Sequence, residues 1–246
     1  MFRFLFFTLL FGLQFNYSTL NAQDATPNFT EGFIVYDVKP LHNSSVPELY
    51  RETTLTLYIK DNQVKLDLKM LAGFLEVQIL ENENQQNIAL IDFPLLSEKS
   101  NITIGKNDEI FSGFFFPSNV NMSPQKNIEI EIFNNDKTTI LGKSGYKAIV
   151  PVKGSKSKAS MYLSNKIIID TPQFMENYLG ELPGLPLNAE ITILGERVSL
   201  TAKEIRKTKI SDKVFEVPAD YKEKSLQNFR SELDEFFRES DLGTGL

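Results

Sequence analysis

Hydrophobic and polar residues alternate along much of the chain beyond residue 31, with the period of two that is typical of strands burying one face. The clearest stretches are residues 54–59 and 64–70. Their apolar side chains fall on one face of each strand: Leu55, Leu57, Ile59, Val64, Leu66, Leu68 and Met70. Asp61 and Asn62, which form turns readily, lie between the two stretches, so the pattern predicts a hairpin.

Similar patterns predict most of the remaining secondary structure. Further strands are predicted at residues 32–39, 74–80, 87–93, 128–133, 138–141, 146–150, 159–163, 166–169, 189–194, 198–207 and 214–217. We expect Asn134, Asn135 and Asp136 to form a turn between two of these strands. A short helix is predicted at residues 173–179, and an amphipathic helix at about 221–239, where apolar residues recur at helical spacing.

The order of these elements predicts a fold class. Strands follow one another along the sequence, with two or three helices among them and with neither an internal repeat nor a long linker. Such an arrangement is typical of a mainly β (α+β) fold built on an antiparallel sheet. We therefore predict a single β-rich domain over residues 23–246 that ends in the amphipathic helix.

The first 22 residues have the pattern of a signal peptide. Arg3 is followed by an apolar stretch over residues 4–15 and then by a more polar segment that ends at Ala22. We predict cleavage after Ala22 and export to the periplasm or the medium. The alternative, an uncleaved membrane anchor, needs about 17–25 apolar residues, which is more than this stretch supplies. The mature protein is therefore expected not to be an integral membrane protein.

Composition narrows the classes of partner. The chain has 32 acidic and 26 basic residues, and an acidic surface does not favour nucleic acid, whose phosphates require clustered Lys and Arg. It contains no cysteine, so disulfides, thiolate metal sites and the lipid-modified cysteine of a lipoprotein are excluded.

Catalytic residue patterns are sparse. His42 is the single histidine, and it would have to serve any Ser-His-Asp triad, histidine zinc site or histidine base. The glycines form neither a dinucleotide-binding nor a phosphate-binding loop, and no calcium-binding loop is present. We therefore predict a protein that is not an enzyme and has no cofactor or metal.

The second half of the chain carries a recognisable order of motifs. They are residues 138–147 (TTILGKSGYK), 161–163 (MYL), 182–187 (LPGLPL) and 215–221 (FEVPADY). This order resembles uncharacterised secreted proteins of Gram-negative bacteria in the GLPGLI-like group, although Glu181 and Pro186 replace the first and last residues of that motif. The resemblance implies the fold of the periplasmic lipoprotein carriers LolA and LolB, a curved antiparallel sheet or incomplete barrel with helices across its concave face.

Two functional hypotheses follow from the predicted export and from the resemblance. The first is a carrier that binds a lipid, lipoprotein or other apolar ligand within the concave sheet. Its ligand-binding positions would be Leu55, Leu57, Leu66, Leu68, Ile130, Ile132, Phe114, Phe115 and Phe116. The second is a structural or protein-interaction module of the cell envelope, with a filled interior and an exposed patch around Phe114–Phe116. For that aromatic segment the favoured interpretation is a buried strand that ends at Pro117, because apolar clusters mostly belong to the core.

Overall fold

Twelve strands form one open sheet in the structure, a computed structural model. It describes residues 29–41, 50–61, 63–81, 87–94, 96, 98–104, 130–151, 158–164, 166–168, 182–193 and 196–239. The strands are β1 (Glu31–Pro40), β2 (Thr54–Lys60), β3 (Gln63–Met70), β4 (Leu75–Glu81), β5 (Asn87–Asp92), β6 (Ser100–Ile104), β7 (Glu131–Ile140), β8 (Lys143–Pro151), β9 (Lys158–Ser164), β10 (Pro186–Ile193), β11 (Glu196–Arg206) and β12 (Lys222–Glu223). One α-helix, α1 (Leu226–Glu239), follows β12.

Two runs of sequential neighbours make up this sheet. Its order is β12-β6-β5-β4-β3-β2-β1-β11-β10-β9-β8-β7. Strands β1 to β6 form one antiparallel run, strands β7 to β11 form another, and β1 pairs with β11 to join them. The short β12 pairs in parallel with β6. The described sheet therefore ends at β12 and β6 on one side and at β7 on the other.

One face of the sheet, here called the inner face, carries the main hydrophobic core. Alternate residues of β1 to β6 and β8 to β11 contribute to it, as the period-two pattern requires. Its most deeply buried side chains include Ile34, Leu68, Met70, Ile102, Val150, Met161, Leu163, Leu185, Leu187 and Val198. The hydrophobic effect of burying this continuous apolar face is the main stabilisation of the fold.

The opposite, outer face is also covered, but over only part of the sheet. Strand β3 buries five successive residues, Val64 to Leu68, so both of its faces are covered. On β4 and β5 the outward side chains of Leu80, Ile88 and Leu90 form a second cluster, against which Val217 and Tyr221 pack. The cover is residues 207–221, here called the strap, which runs from the end of β11 to β12.

The predicted α+β class with two or three helices, and with it the LolA/LolB-like architecture, is wrong. The described residues form a mostly β protein with one open twelve-stranded sheet and one α-helix. The C-terminal helix starts at Leu226 rather than near Tyr221, because Lys222 and Glu223 pair with β6 instead of continuing the helical turn. The predicted helix at residues 173–179 lies outside the described residues.

The structure also differs from the predicted strands at several places along the chain. Asn134, Asn135 and Asp136 do not reverse the chain, because they form a bulge within the continuous strand β7. Residues 166–168 are not a strand, and Asp212–Phe215 is a 3₁₀ turn within the strap rather than an extended segment. The strands β6 and β12 were not predicted, because each is short and mostly polar in sequence.

The Leu182–Leu187 motif has a structural role. Leu182, Leu185 and Leu187 are buried. The backbone of Leu185 accepts a hydrogen bond of 2.8 Å from Ser164 and donates one of 2.9 Å to Ile167. A Cβ atom at Gly184 would lie 2.1 Å from the carbonyl oxygen of Ser164. Glycine is therefore required where these two segments meet.

Within the described ranges, no helix combines the length and the apolar character that are needed to cross a bilayer.

Candidate interaction surface

Strand β7 forms one edge of the described sheet. It pairs with β8 on one side, and no described strand pairs with it on the other. Its ten residues are all exposed or half-buried, whereas every other strand longer than five residues includes buried positions. An edge strand offers backbone N–H and C=O groups to an incoming chain. This strand is therefore the part of the described sheet that is best placed to add another strand.

Large apolar side chains lie exposed along this edge. Ile132 is 45% exposed and Phe133 is 43% exposed. They lie on opposite faces of the strand, because Ile132 is opposite the buried Ala148 and Phe133 is opposite Lys147. Leu141, at the tip of the β7–β8 hairpin, is 49% exposed. An extended chain along β7 would therefore meet an apolar side chain on each face of the sheet.

The bulge in the middle of β7 is held by polar contacts. The Tyr162 hydroxyl donates a hydrogen bond of 3.1 Å to Asp136, and the Lys147 ammonium lies 3.2 Å from the same carboxylate. The hydrogen bond to Asp136 raises the pKa of both Lys147 and Tyr162. The bulge therefore has a defined position, and it divides the edge into residues 131–133 and 137–140.

The ends of β7 are fixed in different ways. At its start, Glu131 accepts a hydrogen bond of 2.7 Å from Lys158 of β9. At its end, Leu141 and Gly142 form the two-residue turn into β8, with φ values of 52° and 69°. Positive φ at both positions is the signature of the type I′ turn, whose twist suits a hairpin. The edge is thus anchored at both ends while its side chains stay exposed.

The positions predicted for an apolar ligand are divided between three environments. Leu55, Leu57, Leu66 and Leu68 are 1–5% exposed and belong to the main core, where they pack against the protein's own side chains. Ile130 packs at the margin of that core, and Ile132 is exposed on β7. Phe114, Phe115 and Phe116 lie outside the described residues. The structure therefore does not bring the nine positions together as one exposed lining.

The sequence reasoning missed most residues of the β7 surface. Ile132 was singled out as an inward position, whereas Phe133, Asp136 and Leu141 were assigned only to predicted strands or a turn and not to a site. One available signal was the pair Leu141-Gly142, because a two-residue segment that ends in glycine between two apolar-patterned stretches indicates a hairpin turn. That turn would have placed residues 131–140 in one strand.

Groups with catalytic or metal-binding chemistry do not converge in this region. Within the described segments, no group of three or more His, Asp or Glu side chains could hold a metal ion. His42 falls outside those segments. The chemistry that the β7 surface offers is backbone hydrogen bonding together with apolar contact.

Comparisons with known proteins give little further information. No protein-family model matches the chain, and no curated protein matches it. Among solved structures, PNGF-II in its P21 and C2 crystal forms shares 15% and 14% sequence identity, each with a TM-score of 0.41. These alignments cover 83% of this chain but only 33% and 32% of the PNGF-II chains, so the chain spans about a third of their length.

Proposed function

We propose that this chain is an exported, non-enzymatic protein-binding module of the bacterial cell envelope that binds an extended segment of a partner protein along β7. The observation that carries the proposal is an edge strand of ten residues with exposed apolar side chains on both faces. Addition of a strand to a sheet edge is an established mode of peptide recognition, in which backbone hydrogen bonds give affinity and alternate side chains give specificity.

The alternative of an apolar-ligand carrier has less support. Four of its predicted positions are already packed in the core, so a ligand there would have to displace the protein's own side chains. By contrast, a chain that pairs with β7 would not displace any of the described core residues. The inner-face carrier therefore remains a prediction of lower rank.

A second copy of the chain is not the proposed occupant of β7. The chain carries an excess of acidic residues, so two copies repel each other over their surfaces. The bulge at residues 134–136 would also lie near the centre of any antiparallel pairing of β7 with itself. Bulges in edge strands are a common protection against such self-association.

The test is site-specific photo-crosslinking in the envelope of the producing cell. A crosslinker in place of Phe133 is expected to give one discrete heterologous product, because the partner lies against this residue. The matched control replaces Thr103, an exposed residue of β6 at the opposite edge, and is expected to give no such product. Hydrogen exchange at residues 131–140 is expected to slow in the purified complex, because strand addition protects backbone amides.

The Phe133→Ser and Ile132→Lys variants link the product to the apolar side chains. Each is expected to reduce partner binding about tenfold or more, the loss that is typical of an anchor residue. Neither should change the melting temperature much, because both side chains are exposed. Equal crosslinking from Phe133 and Thr103, or a product that contains only a second copy of this chain, would refute the proposal.

A further inference from the structure

The strap crosses the outer face of the first half of the sheet. The Ile210 backbone N–H donates a hydrogen bond of 2.9 Å to Glu31 of β1, and Asp212 forms an ion pair with Lys60 of β2. The 3₁₀ turn Asp212–Phe215 packs on β3, and Val217 and Tyr221 cover the outward cluster on β4 and β5. The strap thus passes over five strands in order before it reaches β6.

The outer face of β3, the strand on which the strap's 3₁₀ turn packs, carries a buried charged group that is poorly compensated. The side chain of Asp67, on the outer face of β3, is 8% exposed, and its Oδ1 atom has no hydrogen-bond partner in the described structure. Lys69 Nζ lies 3.8 Å from Asp67 Oδ2 and 3.8 Å from Glu76 Oε1. An ionised carboxylate in this position lacks the hydrogen bonds that would offset the loss of water.

The surroundings favour the neutral acid. Burial, the negative charge of Glu76 and a hydrogen bond with Glu76 raise the pKa of Asp67 to about 6, in spite of the nearby lysines. The strands on either side of Asp67 contribute titratable or charged groups, which are Tyr58 on β2, Lys65 and Lys69 on β3, and Glu76 on β4. The strap carries Asp212 and Lys213 in the turn that packs on β3, and Tyr221, which interacts electrostatically with Glu76. Burial also lowers the pKa of Lys65, but from a value of 10.5. The pKa of Asp67 is thus shifted towards neutral pH.

We propose that the strap is a pH-sensitive latch, which is closed over β3 and β4 when Asp67 is protonated and loosens when Asp67 loses its proton. Loosening returns the ionised Asp67 and the buried Lys65 to water. It also uncovers Leu80, Ile88 and Leu90, an apolar surface that is hidden in the closed state. The latch is independent of the proposed binding edge, which lies at the other end of the sheet.

The direction of the pH dependence follows from linkage. The pKa of Asp67 is 3.8 in an open, solvated state and about 6 in the closed state, so the closed state binds the proton more tightly. The stability of the closed strap is therefore greatest below about pH 4, declines as the pH rises through about 6, and then levels off. Because each pKa unit is worth a factor of ten, the opening equilibrium is expected to increase up to about a hundredfold across this range.

The experiment is amide hydrogen exchange of the full protein from about pH 4 to about pH 7, corrected for intrinsic exchange rates. The reporters are the amides of Lys222 and Lys224, which donate to the carbonyls of Lys99 and Asn101. Their protection is expected to fall with rising pH in the wild type. Amides of β8 and β9 should not follow this change, which separates strap opening from global unfolding.

Two variants distinguish the latch from a general effect of charge. Asp67→Asn mimics the neutral acid and is expected to give protection that no longer depends on pH. Asp212→Asn removes a carboxylate of the strap that is 78% exposed, so it should lower protection at every pH and retain the wild-type slope. A carboxyl-carbon NMR titration of wild-type Asp67 gives a readout that does not require a variant to fold. Protection that is constant with pH, a slope that persists in Asp67→Asn, or an Asp67 midpoint near 4 would overturn the proposal.

Discussion

The two edges of the described sheet differ in whether later parts of the chain pair with them and cover them. At the β6 edge, the chain that follows β11 returns as the strap, adds β12 and continues into α1, so this edge is paired and partly covered. At the β7 edge, the described structure supplies no such cover, and apolar side chains remain exposed. Both edge strands are partly polar in sequence. The difference therefore arises from where the later chain runs and not from the strands themselves.

Ion pairs reinforce the covered edge. Lys99 lies 3.0 Å from both Asp92 on β5 and Asp220 on the strap, and these hydrogen bonds raise its pKa. Lys224 is largely buried and lies 2.6 Å from Glu232 of α1. Individually, such surface pairs contribute little stability, but here they connect sheet, strap and helix. Within the described residues, the β6 edge is thus paired and tied to the strap and the helix, whereas the β7 edge is unpaired.

The largest expected effect comes from the same substitution at the two edges. Phe229 of α1 is 4% exposed and packs in the main core, whereas Phe133 is 43% exposed. Phe229→Ala is expected to reduce the free energy of unfolding by about 3–5 kcal/mol, the cost of removing a buried phenyl ring. Phe133→Ala is expected to change it by no more than about 0.5 kcal/mol. Urea denaturation of both variants measures the difference.

Similar costs for the two substitutions would show that the edges are not distinct in stability. The m value of the Phe229→Ala variant gives further information, because it reports how much surface the main transition exposes. If Phe229→Ala lowers m as well as the midpoint, α1 has separated from the sheet before the main transition. A midpoint change at constant m would show that α1 unfolds together with the sheet.

The sequence predicts those parts of the fold that depend on signals within a short segment, and it does not predict contacts between distant segments. The hairpin of β2 and β3 is confirmed by the pairing of Thr54–Lys60 with Gln63–Met70, because alternation and turn chemistry are both local signals. The strap is not local. Its residues 214–217 were predicted as a strand, but this segment packs on a sheet face formed roughly 130 to 150 residues earlier in the chain. No hydrophobic periodicity within the strap's own sequence indicates that contact.

The same distinction applies to the candidate surface. Ile132 was identified as apolar and alternating, but alternation cannot tell an edge strand from a central one. Which strand lies at the edge depends on the pairing of β1 with β11, which closes the centre of the sheet and leaves β7 at its margin. Likewise, the raised pKa of Asp67 depends on burial in the folded sheet and on Glu76 of the neighbouring strand, so the local pattern Lys-Leu-Asp-Leu-Lys does not predict it.

A smaller effect is expected at the turn that positions the exposed edge. Gly142 has a φ of 69°, and a Cβ atom there would meet no atom within 4 Å, so the cost of Gly142→Ala is conformational rather than steric. The loss of stability is expected to be about 1 kcal/mol, the usual cost of a left-handed conformation in a residue with a side chain. Faster exchange at the amides of β7 than in the wild type would place this loss at the hairpin. An unchanged exchange rate at β7 would instead show that the edge does not depend on its turn.

The smallest expected effect is a gain in stability at the preceding residue. Leu141 has a φ of 52°, which is uncommon for a residue other than Gly, Asn or Asp, and its side chain is largely exposed, so little apolar burial is lost when it is replaced. Leu141→Asn converts the turn to Asn-Gly, the preferred pair for a type I′ hairpin, and is expected to raise the free energy of unfolding by about 0.5 kcal/mol. The control is Leu141→Ala, which removes the same apolar group without favouring positive φ and should give no gain. If Asn and Ala are equivalent in urea denaturation, the turn is not strained by Leu141. If only Asn stabilises the protein, the exposed edge has kept an apolar residue at the cost of turn stability, as expected for a side chain that contacts a partner.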